Sequence, residues 1–383
     1  MKITQLFIDF FQSEKIGGVL LICCTALSLV IANSSLGEFY HHFWMSLIAG
    51  QSLEYWINDG LMTIFFLLIG LELEREIYQG ELSNIKDALL PIFAAIGGML
   101  VPAGIYLYFN FGTQTQSGAG IPMATDIAFA LGVLSLLGNK VPTSLKVFLT
   151  ALAVIDDLGA ILVIALFYTK NLIWTNLLIS LGIFVVLYSL GKFFKVRNLI
   201  PYLIGGIAMW YFMLHSGVHA TITGVLLAFA IPYGKGDKTS TSYILQHYLH
   251  QPVAFIILPI FALANTAIHM TGSVSEIIRE TYSIGIALGL IIGKPIGIFL
   301  LSLFAVKIGI CKLPNDLNWK VVFGVGFLGG IGFTMSIFIT LLAFENVELI
   351  NHAKLIILLS SLLAGIFGFL YLKAILKQNY TEE

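Results

Sequence analysis

Charge is what this chain has least of. Among 383 residues, Lys and Arg number 20 and Asp and Glu 21, so 11% are charged, against about a quarter in an ordinary soluble domain. No long polar stretch remains outside the apolar runs, which leaves no room for a soluble domain. The formal net charge of −1 gives no general attraction to nucleic acid or to acidic partners. Cysteine is scarce as well. Cys23 and Cys24 are neighbours in one apolar run and Cys311 stands alone, so no disulfide framework is implied. What is present is apolar: 58% hydrophobic residues and a mean hydropathy of +0.93. These values define an integral membrane protein, long enough for about a dozen spanning helices.

The apolar runs predict twelve spans in an all-α transmembrane domain that takes in the whole chain, 1–383. They lie at about 14–32, 57–78, 88–109, 121–138, 142–168, 172–191, 199–214, 217–231, 244–270, 281–305, 320–344 and 350–377. Lys2 and Lys15 before an apolar run resemble a secretion signal, but Asp9 and Glu14 interrupt the leader, so the run reads as a retained first helix. Ile3, Leu6, Phe7, Phe10 and Phe11 fall at helical spacing and predict a short interfacial helix ahead of it. Sixteen of the 20 Lys and Arg residues fall on one side of these spans; only Lys170, Arg279 and Lys354 fall on the other, and Lys294 lies inside a span. By the positive-inside rule both termini are cytoplasmic. The outer connection between Ala32 and Trp56 has no Lys or Arg. Within it, two short apolar arms flank Ala49-Gly50-Gln51 and predict a small extracytoplasmic β-hairpin at about 44–56. Its free edges favour pairing with a second copy, hence a homodimer.

The chemistry is concentrated in VFLTALAVIDDLGAILVIALFY, from Val147 to Tyr168. Asp156 and Asp157 sit at its middle, where each carboxylate costs roughly 2.5–3.5 kcal/mol on insertion scales. Acids at that depth handle ions or protons, and a purely structural pair would need one charge rather than a doublet. Two other spans carry breaks. In GIPMATDIAFALG, Pro122 disrupts the helix just before Thr125 and Asp126; in GVGFLGGIGFTMSIFITLLAF, five glycines fall between Gly324 and Gly332. Aligned on threonine, Thr125 matches Thr334 and Phe129 matches Phe338. These are the fourth and eleventh spans, so units 3–5 and 10–12 form a candidate inverted repeat whose broken helices cross near the midplane. Asp126 could then compensate the positive half-helix ends and Lys294 the negative ones.

Two tempting motifs fail. Gly324, Gly326 and Gly329 match a dinucleotide-binding pattern, but no strand precedes them and the setting is an apolar span. His215 and His219 are four residues apart without an adjoining Glu, so they make no zinc-protease motif. A polar gate or a pH-responsive group is the better reading of His219.

The segments WINDGLMTIFFLLIGLELERE, MATDIAFALGVLSLLG, LTALAVIDDLGAILVIALFY, SGVHATITGVLLAF, LPIFALANT, GLIIGKPIGIF and GGIGFTMSIFI resemble the NhaA family of bacterial Na+/H+ antiporters over nearly the whole chain. The resemblance implies twelve spans, crossed unwound helices 4 and 11, an inner-membrane homodimer and electrogenic exchange of more protons than sodium ions. It casts Asp157 as the principal cation and proton carboxylate. Asp156 becomes its neighbour in ion binding or in pairing with Lys294, and Asp126 the acid at the broken helix. Glu72 falls at the cytoplasmic funnel, Asp59 near the outer end of helix 2 and His219 at a group linked to pH response. The chain departs from the family pattern twice. Glu74, in LELERE, stands where the best-known members have a basic residue, and Gln246, in LQHYLH, where they have a glutamate associated with pH sensing. His247 and His250 remain nearby as groups that could titrate near neutrality.

Physical reasoning converges on the same activity. A carboxylate held away from water favours its neutral form. A hard cation such as Na+ or Li+ favours oxygen ligands, which the carboxylates, Thr125 and unwound carbonyls supply. Proton and sodium then compete for one site, and a site that faces each side in turn exchanges them without ATP or any cofactor. An intramembrane aspartyl protease has its second aspartate on another helix, whereas here the doublet is adjacent and followed by LGA, so no enzyme is implied. A sodium-coupled solute symporter or a cation channel is the alternative. The first would need a pocket for an organic solute, and the second has no use for a proton-titrating doublet with a lysine.

Overall fold

The computed structural model describes residues 5–169, 172–268 and 273–379, with side chains from residue 16 onward except at 81, 139, 378 and 379. The fold is helical. Helix α1 (Gln5–Ala32) is followed by α2 (Gly37–Trp44), which turns back from it by 117°. Strands β1 (Leu47–Ile48) and β2 (Gln51–Ser52) pair antiparallel, Leu47 opposite Ser52 and Ile48 opposite Gln51. Then come α3 (Leu53–Tyr78), α4 (Ile85–Asn110), α5 (Gln116–Ser135), α6 (Thr143–Phe167) and α7 (Trp174–Lys192). Two short apolar helices follow, α8 (Ile200–Leu214) and α9 (Ile222–Ala230). After them run α10 (Thr241–Asn265), the short α11 (Val274–Arg279), α12 (Thr281–Lys307), α13 (Trp319–Gly329), α14 (Phe333–Ala343) and α15 (Val347–Asn379).

Among the described residues, eight helices are long and apolar enough to cross a membrane, and ten when each bent pair counts as one span. α8 has 15 residues and α9 has 9, fewer than the roughly 20 that a bilayer asks of a straight helix. The eighth apolar run, expected from 217, is helical only from Ile222 because Ser216–Thr221 form turns. The separate interfacial helix expected near the start is not a distinct element, since α1 is continuous from Gln5. Ile3 and the side chains of Leu6, Phe7, Phe10 and Phe11 lie outside the described residues. So does Lys170.

Local chemistry sets the helix ends. The Ser52 hydroxyl accepts the Tyr55 amide at 3.1 Å at the start of α3. The Asn84 and Asn318 side chains accept amides of Lys86 and Val321 at the starts of α4 and α13. Each satisfies a donor that the helix itself leaves unpaired. Three helices carry a π-type turn: α3 over Trp56–Leu61, α10 over Val253–Ile257 and α12 over Gly289–Gly293. Such turns re-aim the side chains that follow, often at functional sites, and here Lys294 is the residue after one of them.

Three packing pairs position the site. α4 lies along α12, α3 along α9, and α1 against the second half of α5. The first pair depends on glycine. A Cβ on Gly97 would strike the Gly297 carbonyl, and a Cβ on Gly297 would strike the Gly97 carbonyl. The apolar interior surrounds the two interrupted helices, with Met62, Phe66, Phe261, Ile286 and Phe338 in one continuous cluster.

Candidate functional site

Interruption of α5 and of the α13–α14 pair frees backbone groups inside the apolar interior. α5 runs as a 3-10 turn over Gln116–Met123, extends at Ala124 (φ −76°, ψ 149°) and Asp126 (φ −88°, ψ 100°), and resumes as an α-helix at Ile127. α13 and α14 meet at 49° across Gly330, Ile331 and Gly332. The freed groups must be satisfied by protein because no water reaches them in a membrane core. They satisfy one another. The Asp126 amide donates to the Ile331 carbonyl at 2.6 Å, which ties the two breaks together. The Ser361 hydroxyl of α15 accepts the Gly332 and Phe333 amides at 3.2 and 3.1 Å.

Asp126 caps both resumed helices. Its Oδ1 accepts the Phe129 amide at 3.0 Å, and its Oδ2 accepts the Thr334 amide at 3.0 Å and the Thr334 hydroxyl at 2.5 Å. A carboxylate at two helix N-termini meets the positive ends of both dipoles. Of the two parts expected for Lys294, the contacts are those of pairing with Asp156 and not those of a helix carbonyl end. Lys294 donates to Asp156 Oδ2 and, at 2.9 Å, to Thr125 Oγ1. The carbonyl end of α13 is met instead by Thr125, whose Oγ1 lies 2.8 Å from the Gly329 oxygen and 2.5 Å from Asp156 Oδ2. The hydroxyl has one proton, so it serves one of these acceptors at a time. Lys294, Asp156, Asp157, Asp126 and Thr125 are all buried.

Asp156 and Asp157 are successive residues of α6, about 100° apart around the helix, and their surroundings differ. Asp156 Oδ2 is held by Lys294 and Thr125, whereas its Oδ1 has no hydrogen-bond partner. Neither oxygen of Asp157 has one. Buried polar atoms are ordinarily paired, so three free carboxylate oxygens on adjacent residues form a donor set suited to a hard cation or to protons. A cavity joins Asp157, Asp126 and Thr334 to Glu72 on α3 and to Val253 and Leu258 on α10.

The other sequence-predicted residues divide into two groups away from the doublet. Near one end of α3, Glu72 Oε1 lies 3.9 Å from His250 Nδ1 on α10. Glu74 is buried with Oε2 unpartnered, Gln246 is buried, and Arg75 pairs with Glu76 at 2.7 Å. His247 is exposed and stacks on Tyr243, so it does not join Glu72. Near the other end, the Asp59 carbonyl accepts from the Thr63 hydroxyl at 2.5 Å and from the Trp210 indole at 3.1 Å. His219 Nε2 lies 3.1 Å from the Tyr168 carbonyl.

Sequence reasoning assigned no site role to Thr334, Ser361, Asn58 or Asn265. The match of Thr334 to Thr125 was the available signal, and nothing in the sequence singles out Ser361. Lys354, expected on the outer side within the span 350–377, is buried at 4% exposure in α15. The three glycines of the false nucleotide motif pack against Leu372, Pro295 and Ile298, as close helix contact requires.

Membrane-length helices around paired breaks, with three acids and a lysine sealed inside, define a polytopic membrane protein with an ionisable centre. Comparison with known sequences takes this further. Residues 8–372 match the family model described as Na+/H+ antiporter 1. A protein of Flavobacterium psychrophilum named Na(+)/H(+) antiporter NhaA is 73% identical over 382 residues, covering 100% of this chain and 99% of the relative. A protein of the same name from Cytophaga hutchinsonii is 62% identical over 383 residues, covering 100% and 99%. One from Dechloromonas aromatica is 60% identical over 374 residues, covering 97% and 96%. The chain belongs to this family of Na+/H+ antiporters, which are transporters and not enzymes, and it is a multi-pass protein of the bacterial inner membrane.

Proposed function

We propose that the protein extrudes Na+, and also Li+, in electrogenic exchange for inward H+ by alternating access, with Asp157 and Asp156 as the shared site. The observation that carries this reading is the pair of unpartnered Asp157 oxygens beside an Asp156 already engaged by Lys294. In the proton-loaded state Asp157 is neutral and Lys294 neutralises Asp156. An arriving Na+ takes carboxylate oxygens and, with Thr125, replaces the lysine as the countercharge. The Asp157 proton leaves. When the lysine proton leaves with it, more charge moves as protons than as sodium, and exchange responds to membrane potential.

The remaining residues surround this step. Asp126 and Thr334 hold the two interrupted helices together, so the dipole ends stay neutralised while the site changes its facing. Glu72, with His250, stands on the cytoplasmic approach; Glu74, Gln246 and His247 set the charge around it. Asp59 and His219 lie toward the outer side. Twelve spans follow when α8 and α9 cross as short helices and α13–α14 as one broken helix. The glycine crossing of α4 on α12, third and tenth in that count, suits a repeat of spans 3–5 and 10–12. Lysine asymmetry supports cytoplasmic termini. The strand pair β1–β2, with Leu47 and Ile48 exposed, is the proposed contact of a homodimer seated in membrane lipid, and one chain serves as a single transport domain.

The test is proton movement in sealed vesicles on adding Na+, Li+ or K+ without organic solute. Antiport predicts proton release driven by Na+ and Li+, and a shift of the rate with imposed potential. Absence of any Na+-driven proton movement would overturn it.

A further inference from the structure

The outer half of the molecule contains a second buried lysine that the exchange cycle above leaves unused. Lys354 Nζ lies 3.3 Å from Asn265 Oδ1 and 3.6 Å from Glu54 Oε1. Asn265 donates in turn to Asn58 Oδ1 at 2.8 Å and to the Phe261 carbonyl at 3.1 Å. The four side chains come from three separate elements. Glu54 and Asn58 are at the start of α3, Asn265 ends α10, and Lys354 is in α15. α15 packs on α12, α13 and α14, whereas α10 packs mainly on α1 and α3 and touches α14 only lightly. The lysine therefore reaches from the helices that carry the second break to those that line the other wall of the site.

Position along α3 separates this cluster from the cytoplasmic approach. Asn58 and Glu72 are 14 residues apart in one helix, about 21 Å at 1.5 Å per residue. Glu72 lines the cavity at Asp157. Phe66 and Phe338, with rings 5.3 Å apart, belong to one packed apolar cluster with Phe261 and Ile57. Asn58, Asn265 and Glu54 present carboxylate and carbonyl oxygens near the start of α3 and the end of α10. These are the ligand types a hard cation uses on leaving, and in this structure a tethered ammonium occupies them.

We propose that Lys354 is a positioning residue for outward release: with Glu54, Asn58 and Asn265 it forms a latch that holds the extracytoplasmic side of the ion path closed. The inference rests on the antiport reading and on the cytoplasmic orientation of Glu72. When the site turns outward, the Lys354 contacts to Glu54 and Asn265 break, and their oxygens are released for the departing Na+. Weakening the latch favours the outward-facing state. That state binds external Na+ more readily and is reached less readily by cytoplasmic Na+.

The experiment measures the Na+ KM from each side, in right-side-out and inside-out vesicles, for wild type, Glu54→Gln, Lys354→Gln and the double exchange Glu54→Lys with Lys354→Glu. A latch predicts that each single variant lowers the external KM and raises the cytoplasmic KM several-fold in opposite senses. The double exchange moves both back toward wild type. Glu54 is partly exposed, so its variant folds even where Lys354→Gln does not, and it alone decides the matter. Unchanged KM values, a parallel rise on both sides, or no recovery in the double exchange overturn the latch while leaving antiport intact. Wild-type vesicles without Na+-driven proton movement would overturn the antiport reading and the latch together.

Discussion

At the residue scale, the protein places charge where the membrane makes it costly and divides that charge into two kinds. Asp126 is saturated by helix amides and the Thr334 hydroxyl, so it belongs to the frame. Asp157 is not, and it is the group free to exchange partners. Asp157→Asn keeps the shape but cannot carry a negative charge; it should insert normally and exchange nothing above background in proteoliposomes. Measurable Na+-driven proton efflux from that variant would remove the assignment. Lys294→Ala leaves Asp156 buried without its cation, a loss of roughly 3–5 kcal/mol in comparable buried pairs. Its thermal stability should fall together with transport, and adding Asp156→Asn should return much of the stability but none of the exchange. Equal stability of Lys294→Ala and wild type at acidic and alkaline pH would contradict the pairing.

At the element scale, interrupted helices are the device that makes these residues available. Part of this was legible in the chain. Pro122 and the glycines from Gly324 to Gly332 announce breaks because neither residue type suits a helix interior, and an aspartate doublet in an apolar run announces a site. The partners across the breaks were legible only in part. The Lys294–Asp156 pair was expected from the family resemblance, whereas the Lys294 contact with Thr125 was not, and Lys294 follows a π-type turn over Gly289–Gly293 that periodicity does not reveal. Lys354 fell within the expected span 350–377, but charge counts place a lysine along the chain without saying which way its side chain points. The outer hairpin expected from Trp44 to Trp56 is confined to two paired residues on each side, because Trp44 ends one helix and the chain winds again from Leu53. Removing Ser46 to Gln51 should leave monomers in mild detergent that still exchange ions, since the proposed site lies within one chain. A deletion that stays dimeric would place the contact elsewhere. Outside the spans, the Asp237 carboxyl accepts bonds from the Thr239 side chain and amide and from the Ser240 hydroxyl, which hold it below the usual carboxylate range. A lowered value means that these bonds are complete above the ordinary aspartate range and are lost as pH falls through the lowered one. Protection of the Thr239 amide, taken relative to its intrinsic exchange rate at each pH, should therefore persist at neutral pH and be lost only in strong acid. Loss of protection beginning near neutrality would contradict this.

At the scale of the whole molecule, one question decides the account: whether proton and sodium compete for the same carboxylate, or a separate group sets the pH response. Relative to the better-known pattern, Glu74 and Gln246 change the charge near the proposed cytoplasmic approach in opposite senses. Gln246 removes a negative charge relative to the better-known pattern and Glu74 supplies one. Gln246→Glu and Glu74→Lys should each displace the pH profile, through the local potential at Glu72 and His250; an unchanged profile in both would show that these positions do not matter. The most direct measurement is the rate of exchange in proteoliposomes from acidic to alkaline pH at several sodium concentrations. Competition between one proton and one Na+ at Asp157 predicts that the acid limb moves down by about one pH unit for each tenfold increase in sodium, as binding linkage requires. An acid limb that stays in place as sodium rises would contradict a shared site.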